Sequence, residues 1–377
     1  MPSLSIIDAF ADLPDPRMDR TKRHKLSDII VLTLCGAICG VDNWVEMERF
    51  GRAKEKWFAT FLELPNGIPS HDTFGRVFAA LDPDAFRRCF IAWVESLAVV
   101  DVGDVIAIDG KSIRRSLDAA SGARPIHLVN AWASEAGVAL GQLATDTKSN
   151  EITAIPALLE LLHVEGCIVT TDAMGCQKAV AQSIVERKAG YALQLKGNHP
   201  TAHEEVASYF ASEIGDSLVK SDATYTETID GDHGRIEIRR YWLSRNIGWF
   251  EDSDTWPGLR AIGMVEAERT VGDGETSIHR RYYLTTEEEV GPFARAVRSH
   301  WGVENSLHWV LDMAFDEDHS RMRSGNAAEN FAIVRQVALN LIKQEKVEKV
   351  GIKTKRKMCG WDHNYLLTVL GLRRPEN

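Results

Sequence analysis

Three carboxylates sit where metal-assisted chemistry would need them. Asp109 ends the apolar run VIAIDGK, Asp172 ends a second, CIVTTDAMG, and Glu304 lies inside a helical stretch, SHWGVENSLHWVLD. Acids at the tips of neighbouring strands, joined by one from a helix, can hold two hard divalent cations about 4 Å apart and clamp the attacking and leaving oxygens of a phosphoryl transfer. Either aspartate alone is ordinary turn chemistry. The pair, at two strand ends, points to a metal site.

Polar groups of the right types surround these acids. His300, Glu304, His308 and Asp312 recur at i, i+4 spacing, one stripe of a continuous helix. His300, Asn305 and His308 then become groups that orient the carboxylate or face a phosphate. Zinc held by His300, Glu304 and His308 competes with this reading, but the HExxH order is absent. Lys196 and Asn198 follow the apolar run YALQL, and Lys111 and Arg114 follow Asp109, so both sets fall beside the expected metal site. In HGRIEIRRYW, Arg235, Glu237 and Arg239 alternate on one strand face with Tyr241, while Arg240 and Trp242 point the other way. Such a basic face with aromatics suits a nucleic-acid strand. It equally suits a charge-protected edge strand. Arg298 adds a further cation just before Glu304.

The elements needed to position these residues are legible as patterns. Apolar residues at helical spacing from Leu26 to Leu62, a helix opened by a Ser70 cap, and another from LDPDAF to about Val99 predict an all-helical segment over 1–100. Beyond it, three short β-rich runs precede a helix (Ile152 to His163), a strand (Cys167 to Thr171), a helix (Cys176 to Lys188) and a strand (Tyr191 to Leu195). This βββαβαβ order is that of an α/β, ribonuclease-H-like core, in which the first and fourth strands are neighbours and Asp109 meets Asp172. A β-rich insertion is expected over 216–286, the remainder of the core over 287–345 with a closing helix from Ala327 to Ile342, and a basic tail over 346–377.

Composition bounds the function. A net charge of −10 argues against a protein that coats nucleic acid through bulk positive charge, leaving local basic patches for that task. The longest apolar run, Ile29 to Val41, is too short to span a membrane, and no secretion signal is evident in the opening residues. The six cysteines show no CxxC spacing and read as buried, reduced thiols. A cytoplasmic, nucleoid-associated protein with no membrane partner is expected.

AIDGKSIRRS, TTDAMGCQKAVAQSIVERKAGYALQLKGNHP, DGDHGRIEIRRYW and the long run from RSHWGVENSLHWVLD to AENFAIVRQVALNLIK resemble the H-repeat-associated, ISAs-type insertion-sequence transposases over essentially the whole chain. The resemblance implies a DDE transposase that cuts and rejoins DNA with two Mg2+ ions, Mn2+ being able to substitute. Asp109, Asp172 and Glu304 are its triad. Its partners would be the element's terminal inverted repeats and target DNA, bound as a homodimer. The wider superfamily places Tyr, Arg and Lys around the Glu. Here Val297, His300 and Leu311 occupy those spacings. A nuclease without strand transfer, or a domesticated or inactive DNA-binding copy, are the alternatives.

Overall fold

A computed structural model describes residues 5–6, 8–97, 100–116, 124–145, 151–215, 223–232, 235–271, 274 and 276–372. The chain divides into two compact units, one of residues 1–99, 110–150 and 303–377 and the other of 100–109 and 151–302.

The first unit opens with helices α1 (Leu26–Ile38), α2 (Trp44–Ala53), α3 (Glu55–Phe58), α4 (His71–Ala80) and α5 (Pro83–Leu97). Short polar side chains start two of them: Asn43 Oδ1 accepts from the Glu46 N–H at 2.9 Å, and Ser70 accepts from the Thr73 N–H, the cap expected there. From Ile29 to Ile38 every side of α1 is buried, which accounts for its unbroken apolar run. No helix of the described residues is long and apolar enough to cross a membrane.

Strand β1 (Val105–Ser112) begins in the second unit and runs into the first, where β2 (His127–Ala133) and β3 (Val138–Thr145) form an antiparallel hairpin with an irregularity between Ala131 and Trp132. The other elements of the second unit are α6 (Glu151–Leu161), β4 (Ile168–Thr171), α7 (Lys178–Glu186), β5 (Gly190–Leu195), α8 (Pro200–Gly215), β6 (Ala223–Asp232), β7 (Arg235–Ser244), β8 (Ala261–Val271), β9 (Thr276–Thr285) and α9 (Val290–Gly302). The first unit closes with α10 (Trp309–Phe315), α11 (Ala327–Gln344), α12 (Ile352–Trp361) and α13 (His363–Val369).

In the second unit β1, β4 and β5 are parallel, and β9 joins β5 antiparallel. Strands β8, β7 and β6 follow as a meander, so the inserted strands extend the same sheet in the order β1-β4-β5-β9-β8-β7-β6. Helix α9 covers one face through Phe293, Ala296 and Val297, packed with Val105, Tyr241, Val265 and Tyr283. On β9, Tyr282 points opposite to Tyr283 and meets His203 and Phe210 of α8. Helix α8 was not expected from the sequence; its apolar stripe of Ala202, Val206 and Phe210 is one residue wide.

In the first unit α11 is buried over nearly its whole length and packs on α1, α4, α5 and β3. Its buried amides are matched: Asn330 Nδ2 donates to the Phe78 and Leu81 carbonyls, and Asn340 exchanges two hydrogen bonds with the Ala139 backbone. The expected basic tail instead forms α12 and α13, with Lys355 and Arg356 buried. Lys355 Nζ lies 2.7 Å from Glu345 Oε2, and Arg356 donates to the Ala37 carbonyl, so these cations serve the fold.

Candidate active site

Asp109 and Asp172 are brought together by strand register. Parallel pairing aligns Val105 with Ile168 and continues to Ile108 with Thr171, so the next residues, Asp109 inside β1 and Asp172 just past the end of β4, stand at the same level of two adjacent strands. Neighbouring strands lie about 4.8 Å apart, within reach of a shared cation. Both residues are half-buried.

The Asp172 turn is built tightly. Asp172 Oδ1 accepts from the Met174 N–H at 2.9 Å and the Gly175 N–H at 3.3 Å, leaving Oδ2 outside the turn. A Cβ on Gly175 would lie 2.6 Å from Thr171 Cβ and 2.9 Å from Ile155 Cδ1, so only glycine allows this close approach. Asn198 Nδ2 donates to the Ala173 carbonyl at 2.8 Å, bracing the turn from the segment after β5. Asn198 therefore supports the acid's loop, while Lys196 is exposed. The Cys176 thiol, pushed up to about 12 by burial with a smaller contribution from Asp172, stays protonated.

His300, at the end of α9, pairs its Nδ1 with Thr170 Oγ1 at 3.0 Å, one residue before Thr171. Burial lowers its pKa to about 4, against the opposing pull of Asp172, so its imidazole is neutral at physiological pH. Nothing in the sequence pattern singled out Thr170.

Glu304 sits on a π-helical turn, Val303–His308, in the first unit. The turn adds a residue per winding and breaks the expected i, i+4 stripe. Glu304 and Asn305 are exposed, whereas His308 is buried against β2, its Nε2 3.2 Å from Asn130 Nδ2, and Gln336 Nε2 donates to Asn130 Oδ1 at 2.7 Å. Of the two roles expected for His308, burial against β2 disfavours facing a phosphate, and the side chain instead anchors the π turn that bears Glu304. Asn130 and Gln336 escaped the sequence reading because isolated amides in apolar runs carry no spacing signal.

Lys111 also departs from expectation. Its side chain is 9% exposed and its Nζ lies 2.5 Å from Asp312 Oδ1 and 2.6 Å from Glu317 Oε2. Burial alone would lower its pKa, but Glu317 and Asp312 outweigh that and raise it. A cation held by two carboxylates is not available to DNA. Arg114 is exposed and lies 3.2 Å from Asp318 Oδ2.

The expected basic strand face is largely neutralised. Arg239 reaches Asp230 at 2.9 Å and Glu237 at 2.6 Å, and Arg298 lies 3.5 Å from the same Asp230. Arg240, on the opposite face, donates to Glu266 at 3.1 Å and Glu268 at 2.7 Å. Strand pairing brings Asp230, Glu266 and Glu268 to these arginines from adjoining strands, and Glu237 reaches Arg239 from two residues along the same one. The Arg235 side chain lies outside the described residues.

Residues 101–341 match the family described as "Transposase DDE domain", and residues 7–94 match the one described as "DDE_Tnp_1-associated". This chain belongs to the DDE transposase family. It is 40% identical over 370 residues to "Putative transposase YncI" of Escherichia coli O157:H7, covering 97% of this chain and 94% of that protein. It is 37% identical over 371 residues to "H repeat-associated putative transposase YhhI" of Escherichia coli strain K12, covering 97% of each. A solved piggyBac transposase synaptic complex with hairpin DNA aligns over 98% of this chain and 77% of its own at 12% identity and a TM-score of 0.42, a likeness that bears on neither mechanism nor partner.

DDE transposases use divalent metal ions, and the two carboxylates, one within β1 and one just past β4, fit a hard cation. Mg2+ takes one or two protein carboxylates and fills its octahedron with water and substrate phosphates, which is what an aspartate pair offers. Among the described residues, no three His, Cys, Asp or Glu side chains are grouped closely enough to hold a metal by themselves. The protonated Cys176 thiol and the His300 Nδ1 already bonded to Thr170 make a poor zinc set.

Proposed function

We propose that this DDE transposase family member cleaves and rejoins DNA, through Asp109, Asp172 and Glu304 acting as the acidic triad of a ribonuclease-H-like core. The single observation that carries the reading is the β1–β4 register, which sets Asp109 beside Asp172. Divalent cations, Mg2+ above all, would supply charge neutralisation at the scissile phosphate and a more acidic water. Asp109, within β1, and Asp172, just past β4, would hold that charge, and Glu304 is taken as the third acid from the family resemblance; it stands on an exposed π turn, a helical irregularity frequent at functional sites. Neutral His300 fixes Thr170, next but one to Asp172, and leaves no second positive charge to compete for the acid. The partners in this reading are element-end DNA and target DNA, with two copies of the chain needed to bring two ends together.

The test uses purified full-length protein and a labelled duplex bearing the element's end, in Mg2+. Asp109→Asn, Asp172→Asn and Glu304→Gln should each abolish strand cleavage while leaving DNA binding and thermal stability near wild type. Cleavage by Asp109→Asn at the wild-type rate would overturn the assignment. Cleavage without joining of the 3′ end to a target would favour the nuclease reading.

A further inference from the structure

The segment Ser320–Asn326, SRMRSGN, has no part in the reaction above, yet it is fastened to the fold with unusual care. Gly325 adopts φ +50°, and a Cβ there would lie 2.5 Å from the Ala79 carbonyl oxygen, so the backbone presses onto the C-terminal end of α4. The Asn326 N–H donates to that same carbonyl at 3.0 Å, and Asn326 Nδ2 donates to the Leu81 carbonyl at 3.0 Å. Within this clamped segment burial alternates. Met322 is 4% exposed, whereas Arg321 and Arg323 on either side are exposed.

These two arginines stand on the rim of a cavity of about 510 Å³ between α2, α4 and the segment. Arg76 completes the rim, and Trp44, Val45 and Ala79 contribute an apolar floor. Val45, 47% exposed, offers apolar surface there. Arg323 Nε donates to the Arg115 carbonyl at 3.0 Å, which adds the exposed Arg114 and Arg115 to the same side. The acids nearby have other partners than Arg321 and Arg323: Asp318 pairs with Arg114, Glu48 with His71, and Asp72, which also lines the cavity, with His71 and Arg76. Among the described residues no carboxylate pairs with Arg321 or Arg323. In a chain of net charge −10, two adjacent exposed guanidinium groups with no acid partner among the described residues, Arg321 and Arg323, mark a place where a polyanion is received.

We propose that this cavity is a DNA-strand subsite, in which Arg321 and Arg323 hold neighbouring phosphates and one unstacked base enters over Val45 and Trp44. This rests on the DNA-acting function proposed above and extends it to a surface outside the acidic triad. The planar guanidinium fork suits phosphate oxygens better than an ammonium would, and the rigid backing fixes its position. The cavity's size is that of a small-ligand pocket, suited to a base and too narrow for a duplex. An apolar floor beside a cationic rim is the combination that binds single strands with little sequence preference.

The experiment measures binding of a labelled oligonucleotide by fluorescence anisotropy, single-stranded and duplex, to the full chain in EDTA over a range of salt. Against wild type, Arg321→Ala/Arg323→Ala should weaken single-strand binding about tenfold or more and reduce the log–log salt slope by about 1.4, two phosphates at ~0.7 each. Val45→Glu, which changes only an exposed position, should weaken single-strand binding more than duplex binding. Unchanged affinity and slope in the double alanine variant, with wild type binding normally, overturns the subsite alone. Wild-type protein that binds neither oligonucleotide overturns the DNA reading itself. Should the alanine variant melt early, Arg321→Gln/Arg323→Gln and Val45→Glu carry the same comparison.

Discussion

Lys111 Nζ lies 2.6 Å from Glu317 Oε2, both side chains being under a tenth exposed. The pair ties the strand that carries Asp109 to the turn after α10, and Asp312 closes the knot at 2.5 Å. Removing the cation leaves Asp312 without its partner and the buried Glu317 with only Arg335, 3.9 Å away, to balance it. Lys111→Ala should therefore cost about 3–5 kcal/mol, the usual penalty for breaking a buried pair from one side. Lys111→Met combined with Asp312→Leu should cost less, because Asp312 is no longer left without its cation and Glu317 keeps the buried Arg335, 3.9 Å away, as a countercharge. Urea midpoints of the variants decide between them. The Lys111 pKa is raised in the folded state, so its contribution is fully present below about pH 10.4 and fades as pH climbs through the folded value.

His300 supplies a second pH signature of opposite sense. Its folded pKa of about 4 lies below the ordinary histidine value near 6.5, so the unfolded chain takes up a proton that the folded chain refuses. The stability linked to His300 is complete above about pH 6.5 and is lost as pH falls towards 4, at up to about 1.4 kcal/mol per pH unit. In His300→Gln that stretch of the stability profile should flatten. A profile as steep as wild type would show that other groups carry the acid sensitivity.

Asn130 stands between His308 Nε2 and Gln336 Nε2 in a fully buried chain of polar groups. Asn130→Leu removes the acceptor of the buried Gln336 Nε2 and one contact of His308, and an unsatisfied buried group costs about 1–3 kcal/mol. Asn130→Leu/Gln336→Leu should recover part of the loss, a coupling that a double-mutant cycle by thermal melting would measure. Because His308 closes the π turn bearing Glu304, Asn130→Leu should also slow cleavage beyond what its loss of stability explains.

The pairing of Asp109 with Asp172 was legible because it follows from element order: apolar runs, turn residues and the right-handed crossover rule leave few places for a fourth strand. The Ser70 cap and the buried α1 were legible for the same local reasons. What escaped was whatever depends on a partner distant in the chain. Lys111, Arg239 and Arg240 look like cations offered to a phosphate until strand pairing and packing bring acids to them. The polar stripe from His300 to Asp312 assumed a uniform helix, and no residue spacing announces a π turn. Helix α8 was missed because only Ala202, Val206 and Phe210 mark its buried side, and the Arg321/Arg323 rim acquires meaning only once Gly325 is seen pressed onto Ala79.

Gly175 gives the sharpest separation of function from stability. Its missing Cβ would collide with Thr171 Cβ at 2.6 Å and with Ile155 Cδ1 at 2.9 Å, behind the turn whose N–H groups hold Asp172 Oδ1. Gly175→Ala should cost about 1–3 kcal/mol in overpacking, since the contacts are with strand and helix side chains that have little room to retreat. The turn can yield more easily than the strand, so Asp172 should shift, and a displacement near 1 Å at a reacting centre can lower the rate about 100-fold. Thermal melting together with Mg2+-dependent strand cleavage below the melting transition checks both parts. A stable Gly175→Ala protein that cleaves at the wild-type rate would mean that the turn does not set the acid's position, and the proposed role of Asp172 would have to be given up with it.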